Sequence, residues 1–191
     1  MQASGSAARY VVADITDAAQ VEKAVDDAVG DIGRLDIAVN NAGYDGEYQL
    51  TRDYSTDMLD RVIALNVRGG GVLSMKHELR HMSVQGSGSI VNMSSGAGLI
   101  GVPGFSGYEA TKAAEVAPQG IRVNAVCPGL VDTPMIAALD PDQRTSLDAA
   151  HPLGRIARAE EIADAVVWLS SGRAGFVTVI ALPVDGGYTV P

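Results

Sequence analysis

Leu35-Asp36-Ile37-Ala38-Val39 is a short apolar run that stops at Asn40-Asn41-Ala42-Gly43. Its length and its polar, Gly-ended stop suit a buried strand followed by a turn. Outward from it, the same alternation repeats. Tyr10-Val11-Val12-Ala13 reads as a strand that ends at Asp14. Asp17 to Val29 has helical spacing, with Asp17 as N-cap. Ser55 to about Met82 reads as one long helix, open to a break at Gly69-Gly70-Gly71, where each glycine costs about 1 kcal/mol against Ala. Close helix packing is the simplest use for those glycines. Ile90 to Met93 is a further strand, followed by a Gly-rich loop as far as Tyr108. Ile121 to Val126 is the next strand and ends in Pro128-Gly129. Ala159 to Leu169 is a helix with Glu160 and Glu161 in its first turn, where the helix dipole favours acids. Val177 to Val184 closes the series as a strand. Strands alternating with helices predict an α/β fold around a parallel sheet. No repeat or linker divides the chain, so residues 1–191 read as a single domain.

Composition narrows the function. A length of 191 residues with 47% hydrophobic residues supports one real core and excludes disorder. The 22 glycines suit many tight strand-to-helix turns. A net charge of −9 argues against nucleic-acid or anionic-membrane partners. No apolar run approaches the ~18 residues of a membrane span, and Met1-Gln2-Ala3-Ser4 does not open a signal peptide. Cys127 is the only cysteine, so a reducing cytoplasm is expected, with Cys127 as packing at the end of an apolar strand. His77, His81 and His151 are scattered and form no metal set, which leaves them as surface or packing residues.

The chemistry concentrates at Tyr108-Glu109-Ala110-Thr111-Lys112. Tyrosine and lysine four apart on a helix face the same way. The ammonium favours the ionised phenol and lowers its pKa toward working pH. Ser95, thirteen residues before Tyr108 and just past a strand, can hydrogen-bond the same oxygen. Together they make a proton-transfer device for an alcohol or a carbonyl. The alternative is a solvent-facing tyrosine at a helix start with a surface lysine. Ser94 competes with Ser95, and the thirteen-residue spacing selects Ser95.

Five segments stand in order: Asn40-Asn41-Ala42-Gly43, Ile90-Val91-Asn92-Met93-Ser94-Ser95, Tyr108 to Lys112, Gly120 to Gly129, and Val184-Asp185-Gly186-Gly187. In this order and spacing the chain, from about Arg9 to Tyr188, resembles the classical branch of the short-chain dehydrogenase/reductase family. The resemblance implies a Rossmann-like, doubly wound parallel sheet in three α/β/α layers. It implies hydride transfer between NAD or NADP and a secondary alcohol (or cyclic diol) and its ketone. Tyr108 would be the general acid/base, Lys112 would also bond the nicotinamide ribose, and Ser95 would hold the substrate oxygen. Asn66 would keep a proton relay through water to Lys112; the plainer alternative is that it caps or bends its helix. Asp14, with Ile15 beside it, would meet the adenine, the alternative being an N-cap in a turn. Asn41, Ala42 and Gly43 would line the adenine-ribose side. Pro128, Gly129, Val131 and Thr133 would border the nicotinamide. A small-molecule alcohol or ketone is the implied partner, and a homo-oligomer, dimer or tetramer, the implied assembly if the helix after Lys112 is full length.

Three departures from the family pattern stand out. The Gly-rich turn that opens the fold is not in this sequence, which begins at what resembles the third strand, so the fold is incomplete at its N-terminus. The helix after Lys112 is cut short by Pro118. Tyr108 to Val116 is nine residues, about 13 Å of helix, which falls short of a strand of about 17–20 Å. Either segments of a longer natural chain are missing or the chain is truly short. The first is favoured, because a missing central strand exposes long edges. The third departure is Val179, which stands where the family usually has glycine and puts the start of the last strand in doubt. Gly96 to Gly101 matches GxGxxG, but Val102-Pro103-Gly104 opens no helix after it, so the loop is expected to border the substrate cleft. The NAD/NADP choice rests on an absent strand, with NAD slightly favoured. Two rivals to the oxidoreductase remain: a catalytically silent family fragment serving as a subunit or binding module, and an epimerase or dehydratase of the extended branch.

Overall fold

Four strands, β1 (Ile37–Asn40), β2 (Gly88–Met93), β3 (Ile121–Pro128) and β6 (Ala181–Val184), pair in the order β1-β2-β3-β6, each parallel to its neighbour. The computed structural model describes residues 8–47, 49, 53–96, 120–137 and 140–190. Parallel neighbours need crossovers, and helices supply those from β1 to β2 and from β3 to β6, on opposite faces of the sheet. Alternate side chains of β2 and β3 divide the core. Ile90, Ile121 and Val123 pack with Met75 and Met82 on one face, while Val91 and Val126 pack with Ile162 and Leu169 on the other. The sheet is thus a Rossmann-like middle layer, as expected. The small strands β4 (Val131–Asp132) and β5 (Ala157–Arg158) pair beside it, also parallel.

Helix α1 (Ala18–Ile32) starts where its cap demands. The Asp17 carboxylate accepts from the backbone N–H groups of Ala19 and Gln20, and Gly33 closes the helix at φ 87°. The long helix runs as α2 (Thr56–Val62), a π-helical stretch (Ile63–Leu73) and α3 (Ser74–Gln85), with Ser55 as N-cap. The three glycines do not break it. They sit in the π-wound part, where the Ser74 N–H reaches back to the Gly69 carbonyl. A Cβ on Gly69 would collide with the Ile15 carbonyl, and one on Gly70 would lie 3.1 Å from the Ala42 oxygen. Close packing is therefore the function of Gly69 and Gly70, as the sequence suggested. Downstream come α4 (Pro134–Ala137), α5 (Pro141–Ala149) and α6 (Ala159–Ser170). The α6 first turn holds Glu161, which accepts from the Arg158 N–H at 2.9 Å and is gripped by Arg155 at 2.8 Å.

Two expectations need correction. Tyr10-Val11-Val12-Ala13 forms no strand; Tyr10 and Val12 are 90% and 89% exposed. Its apolar pattern finds no ladder partner among the described residues, and an unpaired segment does not become a strand. The last strand begins at Ala181 and not at Val177. The cause is Val179, which stands at φ 59°. A β-branched residue in that left-handed conformation interrupts the regular pairing, although the Val179 N–H still reaches the Val123 carbonyl and the Ile180 carbonyl the Ala125 N–H, both at 2.8 Å. The gap is stitched by Asn124 of β3, which donates to the Val177 carbonyl at 3.1 Å and accepts from the Ile180 N–H at 3.3 Å.

Candidate active site

Because the strands are parallel, their carboxyl ends share one edge of the sheet. Asn41-Ala42-Gly43 leaves β1 there, Ser94-Ser95 leaves β2, and Gly129 to Thr133 leaves β3. A crevice at that edge is where open α/β sheets take their ligands. Tyr108, Lys112, the short helix expected after them and the GxGxxG segment from Ala97 onward lie outside the described residues.

The π-helical stretch grips the first loop. Asn66 accepts from the Tyr44 N–H and donates to the Tyr44 carbonyl, both at 2.8 Å. This two-way bond ties the loop after Asn41-Ala42-Gly43 to the helix. Gly43 has room beside it, since a Cβ there would meet nothing nearer than 3.9 Å. A ligand can therefore approach this backbone closely. Asp14 and Ile15 lie against the same helix through the Ile15 carbonyl at Gly69. Asp14 accepts from the Thr16 hydroxyl and N–H at 2.8 Å, and these bonds hold its carboxyl below the usual range. Asp14 builds a turn ahead of α1, whose N-cap is Asp17 and not Asp14.

Ser95 is half-buried just beyond β2. Its neighbour Ser94 donates its N–H to the Val126 carbonyl at 2.8 Å and is hydrogen-bonded through its side chain to Cys127. Burial pushes the Cys127 thiol up, which suits a packing residue and not a nucleophile.

The β3 loop is the most tightly held of the three. Gly129 donates its N–H to the Val184 carbonyl at 3.2 Å, and a Cβ on it would lie 2.9 Å from His151 Nε2 and 3.0 Å from Asp185. Only glycine fits. Val131 is fixed by the β4–β5 pairing, and Thr133 accepts from the Ile136 N–H at 2.9 Å. Asp185 and the buried His151 were not singled out as site residues. Their signal, a lone histidine far in sequence from the loop, carries no weight until the fold brings them together. Of the other histidines, His81 contacts Asp26 at 2.6 Å and His77 is buried in α3. Among the described residues no group of three or more His, Cys, Asp or Glu is arranged to hold a metal.

A family model described as "Enoyl-(Acyl carrier protein) reductase" matches residues 1–189. The cis-4-hydroxycyclohexanecarboxylate dehydrogenase of Sinomonas cyclohexanicum is 41% identical over 196 residues, covering 97% of this chain and 78% of that one. The chain belongs to the short-chain dehydrogenase/reductase family. The cyclohexanol dehydrogenase of Acinetobacter sp. (strain SE19) is 39% identical, covering 98% of this chain and 77% of that one. Among solved structures, an NAD+-bound xylitol dehydrogenase superposes with a TM-score of 0.90 at 31% identity, covering 97% and 81% of the two chains. ElxO with NADP bound gives the same TM-score and identity, covering 96% and 79%. By family the protein is an NAD(P)-dependent short-chain dehydrogenase/reductase, and among the described residues its sheet edge carries an open glycine, Gly43. No helix among the described residues is long and apolar enough to cross a membrane.

Proposed function

We propose that this protein oxidises secondary alcohols, cyclic ones above all, to ketones, and catalyses the reverse. The observation that carries the reading is the single sheet edge at which the Asn41–Gly43 loop, Ser95 and the Pro128–Thr133 loop meet, with Asn66 fastening the first. The ring-bearing names of the two relatives support cyclic alcohols. When bound, the nicotinamide supplies the hydride acceptor or donor. The chain's own residues do the rest. Tyr108 takes the hydroxyl proton as the alcohol becomes a ketone and returns it in reduction. The Lys112 ammonium lowers the phenol's pKa and bonds the ribose. Ser95 holds the substrate oxygen as its charge changes. Asn66 fixes the loop with its side chain and, in the fuller proposal, holds a water-borne relay to Lys112. Asp14, Ile15 and Asn41 to Gly43 take the adenosine half; Pro128, Gly129, Val131 and Thr133 take the nicotinamide half. We read residues 1–191 as one domain, at work in the cytoplasm as a homo-oligomer.

Tyr108→Phe is the decisive variant. It should abolish turnover of a cyclic secondary alcohol while leaving cofactor affinity nearly unchanged, because ring and packing remain. Turnover retained in that variant would remove Tyr108 from the mechanism.

A further inference from the structure

His151 joins three parts of the chain that are distant in sequence. It is buried at 3% exposure just after α5. Its Nδ1 lies 2.8 Å from the Leu147 carbonyl, which can only accept, so Nδ1 carries the proton. Its Nε2 accepts from the Leu130 N–H at 3.2 Å, inside the loop that follows β3. Its ring stacks on Tyr188 at 5.0 Å and 25°. Each ring nitrogen therefore has a defined role. Gly129 leaves the space that the ring occupies.

Leu130 is tied on both sides: its carbonyl accepts from the Ala157 N–H at 2.9 Å, and its own N–H is left to His151. Gly129 is anchored on the Val184 carbonyl and Val131 on β5, and between them only Leu130 hands its N–H to a side chain. We infer that His151 is a positioning residue: its Nε2 sets the Leu130 peptide, and so the path of the Pro128–Thr133 loop, while its Nδ1 ties that loop to α5. This rests on the proposed function, in which that loop borders the nicotinamide. His151 touches no reacting atom; it acts through the loop.

Two substitutions separate the two nitrogens. His151→Asn keeps a donor near the Leu147 carbonyl and removes the acceptor for Leu130. His151→Gln reaches Leu130 with an amide oxygen and gives up the donor. Three quantities would be measured on the full chain: exchange of the Leu130 amide hydrogen, affinity for NAD+ and NADP+ by calorimetric titration, and thermal stability. In His151→Asn the Leu130 amide should exchange faster, thermal stability should fall because a buried N–H is stranded, and cofactor affinity should fall about tenfold as the loop shifts. His151→Gln should restore affinity to within about twofold of wild type, because the acceptor is back. Unchanged affinity in His151→Asn, with wild type binding normally, overturns the inference and leaves the proposed function standing. Equal losses in both variants also overturn it, since stacking on Tyr188 would then be what matters. If His151→Asn does not fold, His151→Gln decides: retained affinity supports the role, and lost affinity ends it. A wild-type chain that binds neither NAD+ nor NADP+ overturns the proposed function and this inference together.

Discussion

Glu78 and Asp185 are two carboxyl groups with similar exposure, 6% and 8%, and opposite behaviour. Glu78 lies deep between α3 and the sheet and accepts one hydrogen bond, from the Asn40 amide at 3.2 Å. Burial pushes its pKa up to about 7, and that single bond does not offset it. Asp185 sits beneath the turn after β6. Burial raises it too, but Thr189 gives it a hydroxyl and an N–H and Gly187 an N–H, and these hold the carboxyl below its usual range. The number of donors and the depth of burial, not exposure, decide which acid keeps its charge. Each flanks one of the loops assigned to the cofactor. Asn40 links Glu78 to Asn92 and to the start of the Asn41–Gly43 loop, whereas Asp185 backs Gly129.

The largest effect that can break this comparison is the pH dependence of stability. Glu78 binds its proton more tightly folded than unfolded, so its contribution is full below about 4.5 and is lost as pH rises through about 7. The loss should be on the order of 3 kcal/mol across that window. Glu78→Gln should flatten that part of the curve, read by denaturant unfolding from acid to neutral pH. An unchanged slope would show that Glu78 ionises as freely folded as unfolded. Asp185 should run the other way. Its stabilisation holds above its unfolded pKa and disappears as pH falls through the lower folded one. Asp185→Ala, which strands the Gly187 and Thr189 N–H groups, should destabilise by about 2 kcal/mol at neutral pH; a change under a few tenths would mean that water replaces the carboxylate. The smallest effect lies at the other end of β6 from the Asp185 turn. Val179→Gly should stabilise by about 1 kcal/mol by removing a left-handed valine. Thermal melting checks it, and a loss of stability would mean that the Val179 side chain packs better than its backbone is strained.

Local features of the fold are legible in the sequence. Asp17 and Ser55 cap the helices assigned to them, and Ile90 to Met93 and Ile121 to Val126 are the central strands, extended slightly at their ends. These depend on nearest neighbours and on apolar runs, which a sequence displays directly. The missed features are long-range. Tyr10 to Ala13 has strand composition, but pairing is decided by a partner elsewhere. The π winding of Ile63–Leu73 has no sequence periodicity of its own; only the nearness of Ile15 and Ala42 explains its glycines. Asn124 and His151 look ordinary until β6 and the β3 loop arrive beside them. In the site, the strand-end loops were legible as motifs, whereas the groups that hold them in place were not.

The central claim is hydride transfer by this chain, and isotope transfer tests it most directly. Secondary alcohols, cyclohexanol first, would be deuterated at the carbinol carbon and incubated with the protein and NAD+ or NADP+, and the reduced cofactor would be weighed by mass spectrometry. The account predicts reduced nicotinamide carrying one deuterium, and none formed by Tyr108→Phe. No reduced cofactor with either nicotinamide across cyclic and linear alcohols, or reduced cofactor without the label, would contradict it.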